Sequence, residues 1–151
     1  MRPIMLATDG SPSAEAATRE AIELAQRLEL PLLVACVAHD PTPTYGYYGY
    51  AEIAVELRRI QHERIAELFA HVKEEAAKAG VPCETLELDG PIGDELCKTG
   101  RRRNARLIVI GAHGWGRIGR LIHGSVSTYV LHHASTPVLV VHGENGAQPD
   151  A

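Results

Sequence analysis

The chain has 151 residues, 15 Lys and Arg against 19 Asp and Glu, and 45% hydrophobic residues; this predicts one domain that buries roughly 68–70% of its unfolded surface, and excludes a disordered chain or a disulfide-stapled miniprotein. A net charge of −4 argues against a coat for nucleic acid, whose phosphates need a basic face. That average hides a split: 8 basic and 17 acidic residues up to Glu95, then 7 basic and 2 acidic, with no carboxylate from Leu96 to Gly143.

The apolar run 4–7 reads as a strand stopped by Asp9-Gly10, and Ser11-Pro12 supplies a cap and a proline at the first helical position. The helix that follows runs to about residue 29, with Ala17, Ala21, Leu24 and Leu28 at helical spacing. Residues 32–38 are continuously apolar, as in a strand covered on both faces. Residues 39–50 hold two of the nine prolines and four of the five tyrosines (Tyr45, Tyr47, Tyr48, Tyr50) and read as a loop. A long helix is predicted over 51–79, where Ile53, Leu57, Ile60, Ile65, Leu68 and Val72 recur near the helical period and Gly80 sits where a terminating glycine belongs. Residues 81–88 read as a more polar strand, hence at a sheet edge. A helix over 92–103, a strand over 106–110, a helix over 124–134 and a strand over 137–142 complete the chain, and residues 144–151 read as a mobile tail to a domain of 1–143.

Alternating strands and helices predict an α/β fold, a doubly wound five-stranded parallel sheet in the order 3-2-1-4-5 with helices on both faces. Ligands of such sheets bind beyond the carboxyl ends of the strands where the winding reverses, here between strands 1 and 4. The segments leaving those strands are Thr8-Asp9-Gly10-Ser11 and the interval from Gly111 to Gly124, in which five of fourteen residues are glycine. Strand 2 delivers Val37 alongside. Such glycines expose consecutive N–H groups, and the helix start at Gly124-Ser125 adds free donors and partial positive charge, which suits phosphate.

No Lys follows a candidate glycine, so a Walker A loop fails. Gly114-Trp115-Gly116-Arg117-Ile118-Gly119 matches GxGxxG, yet the next carboxylate is Glu144 and one strand remains, so the match is accidental. The pattern Gly111-x2-Gly114-x9-Gly124-Ser125, after a Leu-Ile-Val-Ile strand and before a helix and a Pro-Val-Leu-Val-Val strand, resembles the nucleotide-binding motif of the universal stress protein family. The opening Ile4-Met5-Leu6-Ala7-Thr8-Asp9-Gly10-Ser11 resembles that family too, and the likeness extends from Pro3 to His142.

The resemblance implies an adenine nucleotide alpha hydrolase-like fold, ATP as ligand, with Mg or Mn carried through the phosphates, and a cytoplasmic regulatory protein of the stress response. Carried over by residue, Asp9 and the backbone of Val37 contact adenine or ribose, Gly111 lies beside the ribose, and Gly114, Gly124 and Ser125 hold phosphates. Arg117 and Arg120 flank the loop and either neutralise phosphate or face solvent. Asp9 otherwise reads as a helix cap, Ser125 as a plain N-terminal cap, and His113 and His123 as surface histidines rather than phosphate contacts. The family also implies a homodimer through the last strand, whose apolar edge needs cover, and a protein partner that the sequence does not identify.

Cys36, Cys83 and Cys97 are odd in number and form no CxxC pair, so they read as small apolar fillers in a reducing compartment. The N-terminal apolar run is too short for a signal peptide, and no stretch suits a membrane helix. GxSxG, HExxH and a Cys beside a motif His are all missing. A nucleotide hydrolase or nucleotidyl transferase using the same crevice, and an interaction module without nucleotide, remain the alternatives to an ATP-binding regulator.

Overall fold

The computed structural model describes residues 1–38, 50–113 and 124–143. Among them the order is β1 (Ile4–Ala7), α1 (Pro12–Leu28), β2 (Leu32–Ala38), α2 (Tyr50–Lys78), β3 (Cys83–Asp89), α3 (Ile92–Arg102), β4 (Leu107–Gly111), α4 (Ser125–His133) and β5 (Val138–Val141). The strands form one sheet in the order β3-β2-β1-β4-β5, and every pairing is parallel. The tyrosine-rich segment 39–49, the loop 114–123 and the tail 144–151 lie outside the described residues.

Local chemistry sets the boundaries. Gly10 adopts φ +76°, a conformation cheap for glycine, and the Ser11 hydroxyl then accepts from the Ala14 N–H at 3.3 Å, capping α1 ahead of Pro12. Glu29 in the left-handed region closes α1 by donating its N–H to the Ala25 and Gln26 carbonyls. Gly80, at φ +70°, ends α2, and the Val81 N–H reaches back 2.9 Å to the Ala76 carbonyl.

Because successive strand residues face opposite sides, the core is double. Ile4 and Leu6 pack with Ala17, Ala21, Val34, Val72 and Val109 beneath α1 and α2. Met5 and Ala7 pack with Leu33, Leu96, Ile108, Ile110 and Val130 beneath α3 and α4. The two helix pairs therefore cover opposite faces, and the chain reverses its winding between β1 and β4.

The apolar stripe expected on α2 is only partly buried. Ile65 and Val72 are buried, but Ile53 and Leu57 are 56% and 40% exposed. A helix of 29 residues spans about 44 Å at ~1.5 Å per residue, while the seven-residue strands beneath it span about 23 Å, so the first turns run past the sheet. Leu28 is likewise 50% exposed at the last turn of α1. β3 begins at Cys83, two residues later than the pattern suggests, because Pro82 and buried Val81 belong to the turn after α2. No described helix is long and apolar enough to cross a membrane.

Candidate functional site

The carboxyl ends of β1, β2 and β4 open into a cleft of about 260 Å³. Asp9, Val37, Gly111, Gly124 and Ser125 all line it, although they lie far apart in the chain. Small-ligand pockets run from about 300 to 1,000 Å³. The cleft therefore falls just below that range.

Asp9 stands one residue beyond Thr8 at the exit of β1. Its Oδ1 accepts the Ser11 N–H at 2.9 Å, and the Gly10 N–H reaches the Thr8 hydroxyl at 3.2 Å. Ser11, not Asp9, caps α1. The carboxylate instead fixes the turn that holds it at the cleft.

On the opposite wall the glycine-rich segment leaves and returns at one place. The Gly124 N–H donates to the Ala112 carbonyl at 2.5 Å, and the buried Ser127 hydroxyl bridges the Ala112 and Gly124 carbonyls at 3.1 and 2.9 Å. Gly124 is the N-cap of α4 and brings no side chain to accept the first-turn amides. Ser125 is therefore the first helical residue, not the cap. The first turn of α4 also carries no acidic residue, so its partial positive charge faces the cleft without a neutralising carboxylate of its own.

Gly111 has a packing reason to be glycine. A Cβ there would sit 2.8 Å from the carbonyl carbon and hydroxyl of Ser13, so β4 passes α1 in near contact. Beyond it, the His113 N–H donates to the Ser13 hydroxyl at 3.3 Å, and the Ser11 hydroxyl donates to the His113 carbonyl at 3.4 Å. Gly114 and Arg117, with Arg120 and His123, fall outside the described residues.

The floor of the cleft was not legible from the loops alone. Ala35, Ile92, Leu96 and Val126 make it apolar, and two of them come from α3. The usable signal was topological: α3 must return from the β3 edge to β4, which carries it across the carboxyl ends. Next to Val37, the Cys36 thiol is pushed up to about 11, first by burial and then by the charges of Asp9 and Glu87. It remains a protonated thiol at neutral pH.

A model of the universal stress protein family matches residues 1–142. A universal stress protein of Thermus aquaticus is 35% identical over 93% of this chain and 98% of its own length. One from Mycolicibacterium smegmatis is 30% identical over 98% of this chain, which spans half the length of that relative. Among solved structures, UspA from Lactobacillus plantarum superposes with a TM-score of 0.82 at 24% identity, covering 93% of this chain and 99% of its own. A universal stress protein in complex with cAMP superposes with a TM-score of 0.65 at 27% identity, covering 95% and 98%.

Proposed function

The chain belongs to the universal stress protein family, and from that premise we propose that it binds an adenine nucleotide, ATP in the first place, in the cleft between β1 and β4. The observation that carries this reading is the convergence of the Asp9 carboxylate, an apolar floor and the open N-terminus of α4 on one space. Each part suits one portion of the ligand. Val37, Ile92 and Leu96 offer apolar surface to the base, Asp9 offers acceptors to the ribose hydroxyls, and the amides of Ser125 and Val126 offer donors to phosphate. The related structure in complex with cAMP supports an adenine ligand for this fold.

Gly111 lies in the wall beside the proposed ribose position, and Gly114, Gly124 and Arg117 belong to the proposed phosphate end. A Mg or Mn ion would be carried by the phosphates and water, which such cations prefer to an all-protein cage. The nucleotide state would then act on a dimer or partner surface, making the chain a cytoplasmic regulator rather than a turnover enzyme.

Purified protein, denatured and chromatographed, is expected to release an adenine nucleotide, and the stripped protein to give a saturable heat with ATP. The absence of both release and heat would contradict nucleotide binding. Steady ATP turnover that disappears in Asp9→Ala would replace the regulator with a hydrolase.

A further inference from the structure

The amino ends of the strands, opposite the cleft, carry a different surface. Arg2 precedes β1 and Arg106 precedes β4, and the Arg106 N–H donates to the Pro3 carbonyl at 2.8 Å, so the two segments enter the sheet side by side. The Arg2 guanidinium lies over the turn between α3 and β4, where Nε and Nη2 donate to the Asn104 and Ala105 carbonyls, both at 3.2 Å. That turn follows Arg101, Arg102 and Arg103 at the end of α3, and the Ala105 N–H returns to the Gly100 carbonyl at 2.9 Å. Arginines from two distant parts of the chain therefore meet at one turn.

Their charges are unequally matched. Arg103 pairs with Glu84, and Arg102 lies 3.6 Å from Glu95. Arg101 and Arg106 are exposed and, among the described residues, have no carboxylate partner. Arg2 gives two donors of its fork to backbone carbonyls, which holds the group in place and leaves its charge unopposed. The negative end of α3 accounts for Arg101 and Arg102, but not for Arg2 or Arg106, which belong to no helix. Thr136, whose hydroxyl would lie 3.3 Å from a Cβ on Gly100, brings up the connection between α4 and β5, and that connection holds no carboxylate. Toward β2 and β3 the surface ends in acid, since Glu29 closes α1 and Glu84 stands second in β3.

We propose that this arginine surface docks a short acidic segment of a partner protein, with Arg101, Arg106 and the held Arg2 guanidinium pairing with its carboxylates. The inference goes beyond the nucleotide reading and does not depend on it, because the surface lies at the other end of the strands from the cleft. A planar guanidinium meets a carboxylate through two parallel hydrogen bonds and is weakly hydrated, which suits an interface. Fixing Arg2 before the partner arrives lowers the ordering cost of association. The confined extent of the surface favours a short segment over nucleic acid. A nucleic-acid strand gains affinity by having many phosphates neutralised along its length, whereas here Glu29 and Glu84 border the arginines and the chain as a whole carries −4. An anionic membrane would meet the same carboxylates.

The probe is a fluorescent peptide of alternating Asp and Ser, followed by anisotropy at physiological salt, where charges more than about 8 Å apart are screened. Its counterpart with Asn for Asp controls for the backbone. Wild type is expected to bind the acidic peptide saturably and not the counterpart. The double variant Arg101→Gln, Arg106→Gln should lose about tenfold in affinity while ATP binding stays unchanged. Arg58→Gln with Arg64→Gln, which removes the same charge from exposed positions of α2, should bind the peptide as wild type does.

No binding of the peptide by wild type, or an equal loss in the α2 variant, overturns the proposal and leaves the nucleotide reading in place. So does tighter binding of single-stranded DNA or of phosphatidylserine vesicles than of the peptide. Self-association of wild type that disappears in the Arg101 and Arg106 variant would make a second copy of the chain the occupant and overturn the acidic partner. Should that variant fail to fold, amide shifts on adding peptide to wild type are expected at Arg2 and from Gly100 to Arg106. Shifts confined to other surfaces overturn the proposal.

Discussion

Gly111 leaves no room for a methyl group, because α1 presents the Ser13 backbone and hydroxyl 2.8–2.9 Å from where a Cβ would lie. Gly111→Ala is expected to destabilise the protein by about 1–3 kcal/mol, the usual cost of overpacking, read as a lower denaturation midpoint in urea. An unchanged midpoint would mean that α1 shifts freely from β4. Asp9 is tested by its isostere. Asp9→Asn keeps an oxygen for the Ser11 N–H but loses the charge, and ATP affinity should fall about tenfold to a hundredfold, as for a charge-assisted hydrogen bond of about 1.5–3 kcal/mol. Thermal melting should barely change. Cys36 offers a third residue-scale test: with its thiol raised to about 11, it should resist alkylation in the folded protein at pH 8. Above pH 9 the unfolded chain ionises this thiol while the folded one does not, so stability should decline between about pH 9 and 11, by up to about 1.4 kcal/mol per pH unit.

Elements explain why the two sheet edges differ. β3 exposes Glu84, Glu87 and Asp89, and Arg103 pairs with Glu84 while His62 pairs with Glu87. Such an edge is guarded by charge. β5 holds Val138, Leu139, Val140 and Val141, all half-buried, with β4 on one side. An apolar edge of that kind favours a second copy of the chain, so we expect a dimer in sedimentation and slower β5 amide exchange as protein concentration rises. A monomer at every concentration, with rapid β5 exchange, would contradict that assembly. The polarity of β3 and the apolar run of β5 made both edges legible in the sequence. The overhang of α2 was not, because the periodicity that places Ile53 and Leu57 on one helix face contains no term for how far the sheet beneath extends.

At the scale of the molecule, the charge split becomes spatial. β1, β2 and β3, with α1 and α2, come from the acidic part of the chain, while β4, α4 and β5 lie within the interval without carboxylates. The winding reversal sets these halves on either side of the cleft. One wall thus presents the Asp9 carboxylate to the cleft, and the other a helix start with no acidic residue in its first turn, the arrangement on which the proposed sugar and phosphate positions rest. The central strands tie the halves together, so Leu6→Ala, at a fully buried position between α1 and Val109, should cost about 2–5 kcal/mol.

Strand order and the place of the cleft were legible because alternating βα units leave few topologies and one reversal point. In the sequence Asp9 and Ser125 read equally as caps or ligand contacts; the structure gives the N-cap positions to Ser11 and Gly124, and ligand contact by Asp9 and Ser125 is part of the proposal. The contribution of Ile92 and Leu96 was hidden, since only the return of α3 across the sheet brings them to the loops.

The central claim is that this crevice holds an adenine nucleotide. Titrating isotopically labelled protein with ATP and following backbone amide resonances tests it most directly. Saturable shifts should concentrate at Thr8 to Gly10, Val37, Gly111 to His113 and Ser125 to Ser127. Shifts confined to other surfaces, or none at millimolar ATP, would contradict it.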